Sequence, residues 1–66
     1  MEVTLVQREE SKKLQLPAKR RITDIIGAQG LNGETFVIKL NDRLAHPDER
    51  LKEGDVLEFV EIIYGG

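Results

Sequence analysis

The segment Val56-Leu57-Glu58-Phe59-Val60-Glu61-Ile62-Ile63 restricts the fold of this chain more than any other. β-Branched and aromatic residues dominate it, which suits a pleated strand. Strand side chains alternate between two faces, so Leu57, Phe59 and Ile63 fall with Glu61 on one. Val56, Val60 and Ile62 fall with Glu58 on the other. Both faces are therefore largely apolar. Such a strand belongs in the middle of a sheet, and a near-continuous apolar run fits a parallel neighbour, with the first strand as the candidate.

The remaining segments supply that sheet and one cover for it. Glu2-Val3-Thr4-Leu5-Val6-Gln7 alternates, with Val3 and Leu5 on one face. Lys12-Lys13-Leu14-Gln15-Leu16 alternates again before Pro17 stops further pairing. Arg8-Glu9-Glu10-Ser11 reads as a polar break between them, which makes a first hairpin. The period then changes. Ile22, Ile25 and Ile26 lie at i, i+3 and i+4, the stripe of an amphipathic helix running to Gln29. Asp24 favours its first turn, and Gly30 is placed as a left-handed stop with Leu31 folding back. Arg21 is a poor N-cap, so either the helix starts there uncapped or Thr23 caps a shorter one.

Asn32-Gly33-Glu34 reads as a turn, and Thr35–Leu40 as a strand with Phe36, Ile38 and Leu40 on one face. Asn41-Asp42 tolerates positive φ and turns the chain into a short strand around Arg43-Leu44-Ala45. His46–Arg50 is a surface loop with Leu51 tucked beneath it, and Glu53-Gly54-Asp55 is a second turn. The order strand, strand, helix, strand, short strand, strand implies an α+β layer arrangement with one helix on one sheet face.

Composition excludes several functions. A chain of 66 residues without cysteine has no disulfide framework, thiolate metal site or cysteine nucleophile. Its single histidine, His46, rules out a multi-histidine metal site within one chain, and it receives no role. No nucleophile–base pair is visible, so an enzyme is not expected. No apolar run is long enough to span a membrane. Met1-Glu2-Val3-Thr4 lacks the features of a secretion signal, and the expectation is a cytoplasmic monomer. The formal charge is −2 overall, but +2 over residues 1–33 and −4 over residues 34–66. A dedicated nucleic-acid binder is not expected, with Lys19-Arg20-Arg21 read as a solvated helix entry. The acidic half suits steering of a basic partner.

The chain reads to its end as Tyr64-Gly65-Gly66. Glycine takes almost any backbone conformation, so two terminal glycines make a slim end able to enter a narrow active site. Frayed termini are also common, so the dipeptide takes its meaning from what precedes it.

At this point the sequence resembles the β-grasp sulfur carriers and ubiquitin-like modifiers. It is similar to the thiamine-biosynthesis sulfur carrier, the molybdopterin synthase small subunit and the small archaeal modifier proteins. The resemblance rests on Ile22-Thr23-Asp24-Ile25-Ile26, on Val37-Ile38-Lys39-Leu40-Asn41-Asp42, and most specifically on Leu51–Val60 with Gly65-Gly66. The chain departs from the pattern at Arg21, where Thr or Ser is usual, and at Tyr64, where a small or basic residue often stands.

The resemblance implies a ubiquitin-like β-grasp over residues 1–63, with a four- to five-stranded mixed sheet, and a flexible tail over 64–66. It implies a carrier that binds no cofactor or metal itself. A partner adenylating enzyme activates the Gly66 carboxylate with ATP and magnesium. Sulfur then gives a thiocarboxylate, passed to a synthase for thiamine, molybdopterin or tRNA thiolation. Alternatively a target-protein lysine attacks to give an isopeptide, and Lys12, Lys13, Lys19, Lys39 and Lys52 are possible acceptors for chains. A non-covalent β-grasp interaction module is the remaining alternative. Gly65 and Tyr64 then govern access of the tail. Val60, Ile62, Glu58 and Glu61 are the candidate partner-docking residues, Val60 and Ile62 being either second-face core or an apolar docking patch.

Overall fold

The computed structural model describes residues 1–31 and 35–62. The chain order is β1 (Glu2–Gln7), β2 (Glu10–Gln15), α1 (Ile22–Ala28), β3 (Phe36–Leu40), β4 (Arg43–Leu44) and β5 (Val56–Glu61). The strands form one five-stranded sheet in the order β2-β1-β5-β3-β4. β5 is central, parallel to β1 and antiparallel to β3. This is the α+β arrangement expected, and the strand that is apolar on both faces occupies the middle.

Alternation divides β5 as its sequence dictates. Leu57 and Phe59 are buried, with Val3, Leu5, Ile38 and Leu40 from the flanking strands and Ile22 and Ile25 from α1. Leu51 closes this core from the loop before β5. Each such side chain removed from water stabilises the fold by about 1.5–3 kcal/mol. The opposite face of β5 is open, and Val56 and Val60 are exposed there.

The helix ends follow from local hydrogen bonding. Arg21 is the N-cap and gives no side-chain cap. Asp24 supplies the missing interaction, its carboxylate accepting the Arg21 N–H at 2.8 Å. The Ile22 and Thr23 N–H groups donate to Glu49 O and Pro47 O at 3.0 and 2.9 Å. The 46–51 loop thus caps the helix that the N-cap residue leaves uncapped. At the other end Gly30 has φ 69°. Its N–H donates to Gly27 O at 3.1 Å, and the Leu31 N–H donates to Ile26 O at 3.0 Å. This is the Schellman pattern, and Leu31 packs with Ile26 against the core.

Several expected boundaries shift, Leu16, Thr35 and Ala45 each falling one residue outside its strand. The break between β1 and β2 is two residues, not four, because Gln7 pairs with Glu10 and Val6 with Ser11. Arg8 and Glu9 adopt φ 50° and 66°, the left-handed backbone of a tight hairpin turn. Nothing in Arg-Glu advertises that conformation, which is ordinarily left to Asn and Gly. The helix stops at Ala28 with Gln29 as its C-cap. β5 ends at Glu61, although Ile62 N–H still reaches Thr35 O at 3.1 Å. The expected Asn32-Gly33-Glu34 turn, Ile63 and the Tyr64-Gly65-Gly66 tail lie outside the described residues.

The turns at the start of β5 are joined by a polar clamp. Asp55 is the one buried charged residue among those described. Its carboxylate accepts the Lys52 N–H at 2.7 Å and the Asn41 side-chain amide at 3.0 Å. Asn41 returns a bond by accepting the Val56 N–H at 2.9 Å. Truncation leaves both Lys52 N–H and the Asn41 amide without this acceptor, so Asp55→Ala is expected to destabilise the domain by about 2 kcal/mol. Urea denaturation checks this as a lower midpoint at unchanged slope.

Candidate functional site

Register places the candidate docking residues on two sides of the sheet. Residues paired across strands share a face. Val60 pairs with Val37, and Glu58 lies between Val6 of β1 and Lys39 of β3. Leu44 pairs with Lys39, and Val56 with Thr4. The open face therefore gathers Val6, Val37, Leu44, Val56 and Val60 around Glu58 and Lys39. Leu44 is 77% exposed and Val60 is 39% exposed. Lys39 Nζ turns to Asp42 at 3.8 Å rather than to Glu58. An apolar surface with two charged residues at its centre, on a small domain, fits a protein contact.

Of the four expected docking residues, Val60 and Glu58 belong to this open face. Ile62 follows them at the end of β5 and is 38% exposed. Glu61 does not join them. It shares the helix-side face of β5, and its carboxylate lies 3.6 Å from Arg8 Nη2. Val6, Val37 and Leu44 were not identified from the sequence because their placement depends on strand register. Their signal was nevertheless present: apolar residues at positions where a half-exposed strand usually carries polar ones.

The exit of β5 is a second feature. β1 stops pairing at Gln7–Phe59, and the chain turns away at Arg8 and Glu9. β5 runs on beside β3 as far as Phe36–Glu61. The shortfall opens a groove lined by Gln7, Arg8, Leu31, Phe36, Phe59 and Glu61. At its base Phe36 and Phe59 pack with ring centroids 5.0 Å apart. Residues 63–66, with Tyr64, Gly65 and Gly66, follow Ile62 in the sequence and lie outside the described residues. Among the described residues no group of three His, Cys, Asp or Glu is placed to hold a metal ion. No described helix is long and apolar enough to cross a membrane.

The family model described as the ThiS family matches residues 3–66. The chain belongs to the ThiS family. Members of the ThiS family are small sulfur carriers of thiamine or molybdopterin biosynthesis and are not themselves enzymes. Solved structures give the same fold. A Pyrococcus furiosus protein assigned as molybdopterin converting factor subunit 1 has a TM-score of 0.78 at 20% identity, with 94% of this chain and 98% of that one covered. The thiamine biosynthesis protein ThiS from Geobacter metallireducens has a TM-score of 0.67 at 19% identity, covering 96% and 99%. A complex of molybdopterin-converting factor subunits 1 and 2 from Helicobacter pylori matches with a TM-score of 0.67 at 26% identity, covering both chains fully. The fold is thus the ubiquitin-like β-grasp, and this ThiS-family chain has its mixed sheet and single helix.

The two faces of β5 should separate in mutation. Val60→Thr, which keeps the β-branched shape, is expected to alter stability by less than about 0.5 kcal/mol, because the side chain is on the open face and 39% exposed. Phe59→Ala is expected to cost about 3–5 kcal/mol. Thermal and urea unfolding of the two variants checks the contrast.

Proposed function

We propose that this chain carries sulfur on the carboxylate of Gly66. What supports the reading is that the ThiS-family match runs through Gly65-Gly66, a few residues after the central strand in the sequence. In this reading residues 1–63 are the mount and Tyr64-Gly65-Gly66 is the tail, with Gly65 and Tyr64 setting its access to an active site.

The chemistry needs a partner because a free carboxylate is a poor electrophile. In the partner's site a Gly66 carboxylate oxygen attacks the α-phosphorus of magnesium-bound ATP. The bond to the β-phosphate breaks and pyrophosphate leaves. The resulting acyl-adenylate has AMP as a good leaving group. Attack by hydrosulfide on the carbonyl carbon expels AMP, and a proton passes to water, leaving a thiocarboxylate. ATP and magnesium belong to the adenylating enzyme, and the carrier binds neither.

The open face around Val60, Glu58 and Val37 is the proposed dock for that enzyme and for the synthase that accepts the sulfur. Ile62 and Glu61 sit where the tail leaves. The complex of the Helicobacter pylori converting factor subunits supports a protein partner of this kind. The reading assigns the carrier to the cytoplasm, where ATP is supplied. The acceptor is a thiamine or molybdopterin precursor, with tRNA thiolation the alternative.

Intact mass spectrometry of the chain from its native cell is expected to show a species heavier by the difference between sulfur and oxygen. Iodoacetamide should alkylate that species, and deletion of Gly66 should abolish it. Conjugates of higher mass that vanish with the same deletion would instead indicate a modifier attached to lysine. Partner binding that survives loss of Gly65-Gly66, with neither product formed, would indicate an interaction module alone.

A further inference from the structure

The backbone of β5 is left incomplete on one side at the point where the strand ends. Asn41 N–H donates to Val56 O at 2.8 Å and Ile62 N–H donates to Thr35 O at 3.1 Å. Even-numbered residues of β5 therefore turn their backbone polar groups towards β3. Odd-numbered residues turn theirs towards β1, and the bond from Thr4 N–H to Asp55 O at 2.9 Å fits that parity. Leu57 and Phe59 meet β1 within the ladder, which stops at Gln7–Phe59. Glu61 is the next residue of that parity. Among the described residues its N–H and C=O have no backbone partner, because β1 has already turned away.

The side-chain surface is incomplete at the same place. The groove beneath the exit, lined by Leu31, Phe36 and Phe59 with Arg8 and Glu61 at its rim, lies along the line that β1 abandons. A strand continuing that line would put the residue opposite Glu61 into this groove. Its neighbours would point to the other face, beside Val60 and Ile62. An unpaired backbone edge and an apolar-floored groove in register with it are the two requirements of strand addition.

We propose that an extended segment of the adenylating enzyme adds to the β1 side of β5 at Glu61, pairing with its N–H and C=O and seating an apolar side chain between Leu31, Phe36 and Phe59. This deepens the carrier reading and rests on it. The location favours that partner, because Gly66 lies five residues beyond Glu61, roughly 17 Å at full extension. A protein that holds the last residues is therefore within about 17 Å of this edge. The added strand would fix the direction of the tail by extending the ladder that β1 leaves short.

The test uses the full chain made by chemical synthesis with the Glu61 nitrogen methylated, which removes that N–H and leaves the Val60 carbonyl, turned towards Val37, an amide acceptor. ATP–pyrophosphate exchange first identifies an adenylating enzyme that activates the unmodified carrier, and failure of exchange overturns the carrier reading itself. With that enzyme, the N-methylated variant is expected to keep the thermal midpoint of the parent and to bind at least about 2- to 10-fold more weakly. Equal affinity, or a lowered midpoint in the free carrier, overturns strand addition while leaving the carrier reading intact. Amide hydrogen exchange gives a second arm. In the free protein Glu61 should exchange fast while Val60 and Ile62 are protected, and the enzyme should slow Glu61 by about tenfold or more. Slow exchange at Glu61 in dilute free protein overturns the proposal. Protection that rises with carrier concentration alone also overturns it, since a second copy would then be the occupant.

Discussion

Parallel pairing of the first and last strands is the constraint on which this structure depends. Parallel neighbours cannot be joined by a tight turn, so the chain between them must cross over the sheet. Here it crosses as α1, and the helix buries Ile22 and Ile25 against the inner sides of β1, β3 and β5. β5 then enters between β1 and β3 and completes the core with Leu57 and Phe59. The last strand is thus the strand that closes the domain. A chain of 66 residues with no disulfide has few other means of holding itself together.

Because β5 enters last and in the centre, its starting point must be fixed on both sides. Glu53 and Gly54 tie the preceding turn to β1, with Glu2 N–H donating to the Glu53 carboxylate at 3.1 Å and Gly54 N–H donating to Glu2 O at 2.8 Å. Asp55 and Asn41 tie the same turn to the β3–β4 hairpin. A slip of one residue would carry Leu57 and Phe59 to the open face and Glu58 into the core. The polar clamp and the alternation therefore specify the same register. This gives the Gly54-Asp55 turn a structural reason independent of any partner.

Local patterns carried most of the fold. The stripe Ile22, Ile25, Ile26 with Gly30 behind it marked α1, and the two-sided apolar run marked β5 as central. Where the reading fell short, the information was not local. Arg8 and Glu9 take left-handed backbone because the β1–β2 register demands a two-residue turn, against their own preference. The capping of α1 comes from Glu49 and Pro47, more than twenty residues away. Asn41 and Asp55 were each legible as turn residues, but their bond to one another appears only once β3 and β5 are adjacent. The open face has the same character. Val60 and Glu58 could be assigned from β5 alone, whereas Val6, Val37 and Leu44 needed the register of three other strands.

The difference in length between β1 and β5 links this architecture to the tail. Had β1 continued past Gln7, it would have paired Glu61 and covered the Phe36–Phe59 end of the core. The Arg8–Glu9 turn ends it early, with two residues in a backbone region costing L-amino acids roughly 1–2 kcal/mol each. A longer β1 with an Asn-Gly turn would avoid that cost and close the groove. The early turn instead leaves β5 held by β3 alone at its last step, with Arg8 reaching Glu61 across an exposed gap at 3.6 Å. An exposed pair of that kind contributes little stability. The end of β5 is consequently the least supported part of the central strand, while its start is the most firmly tied. A strand anchored at one end and incomplete at the other presents whatever follows it to an incoming chain, without requiring the core to open.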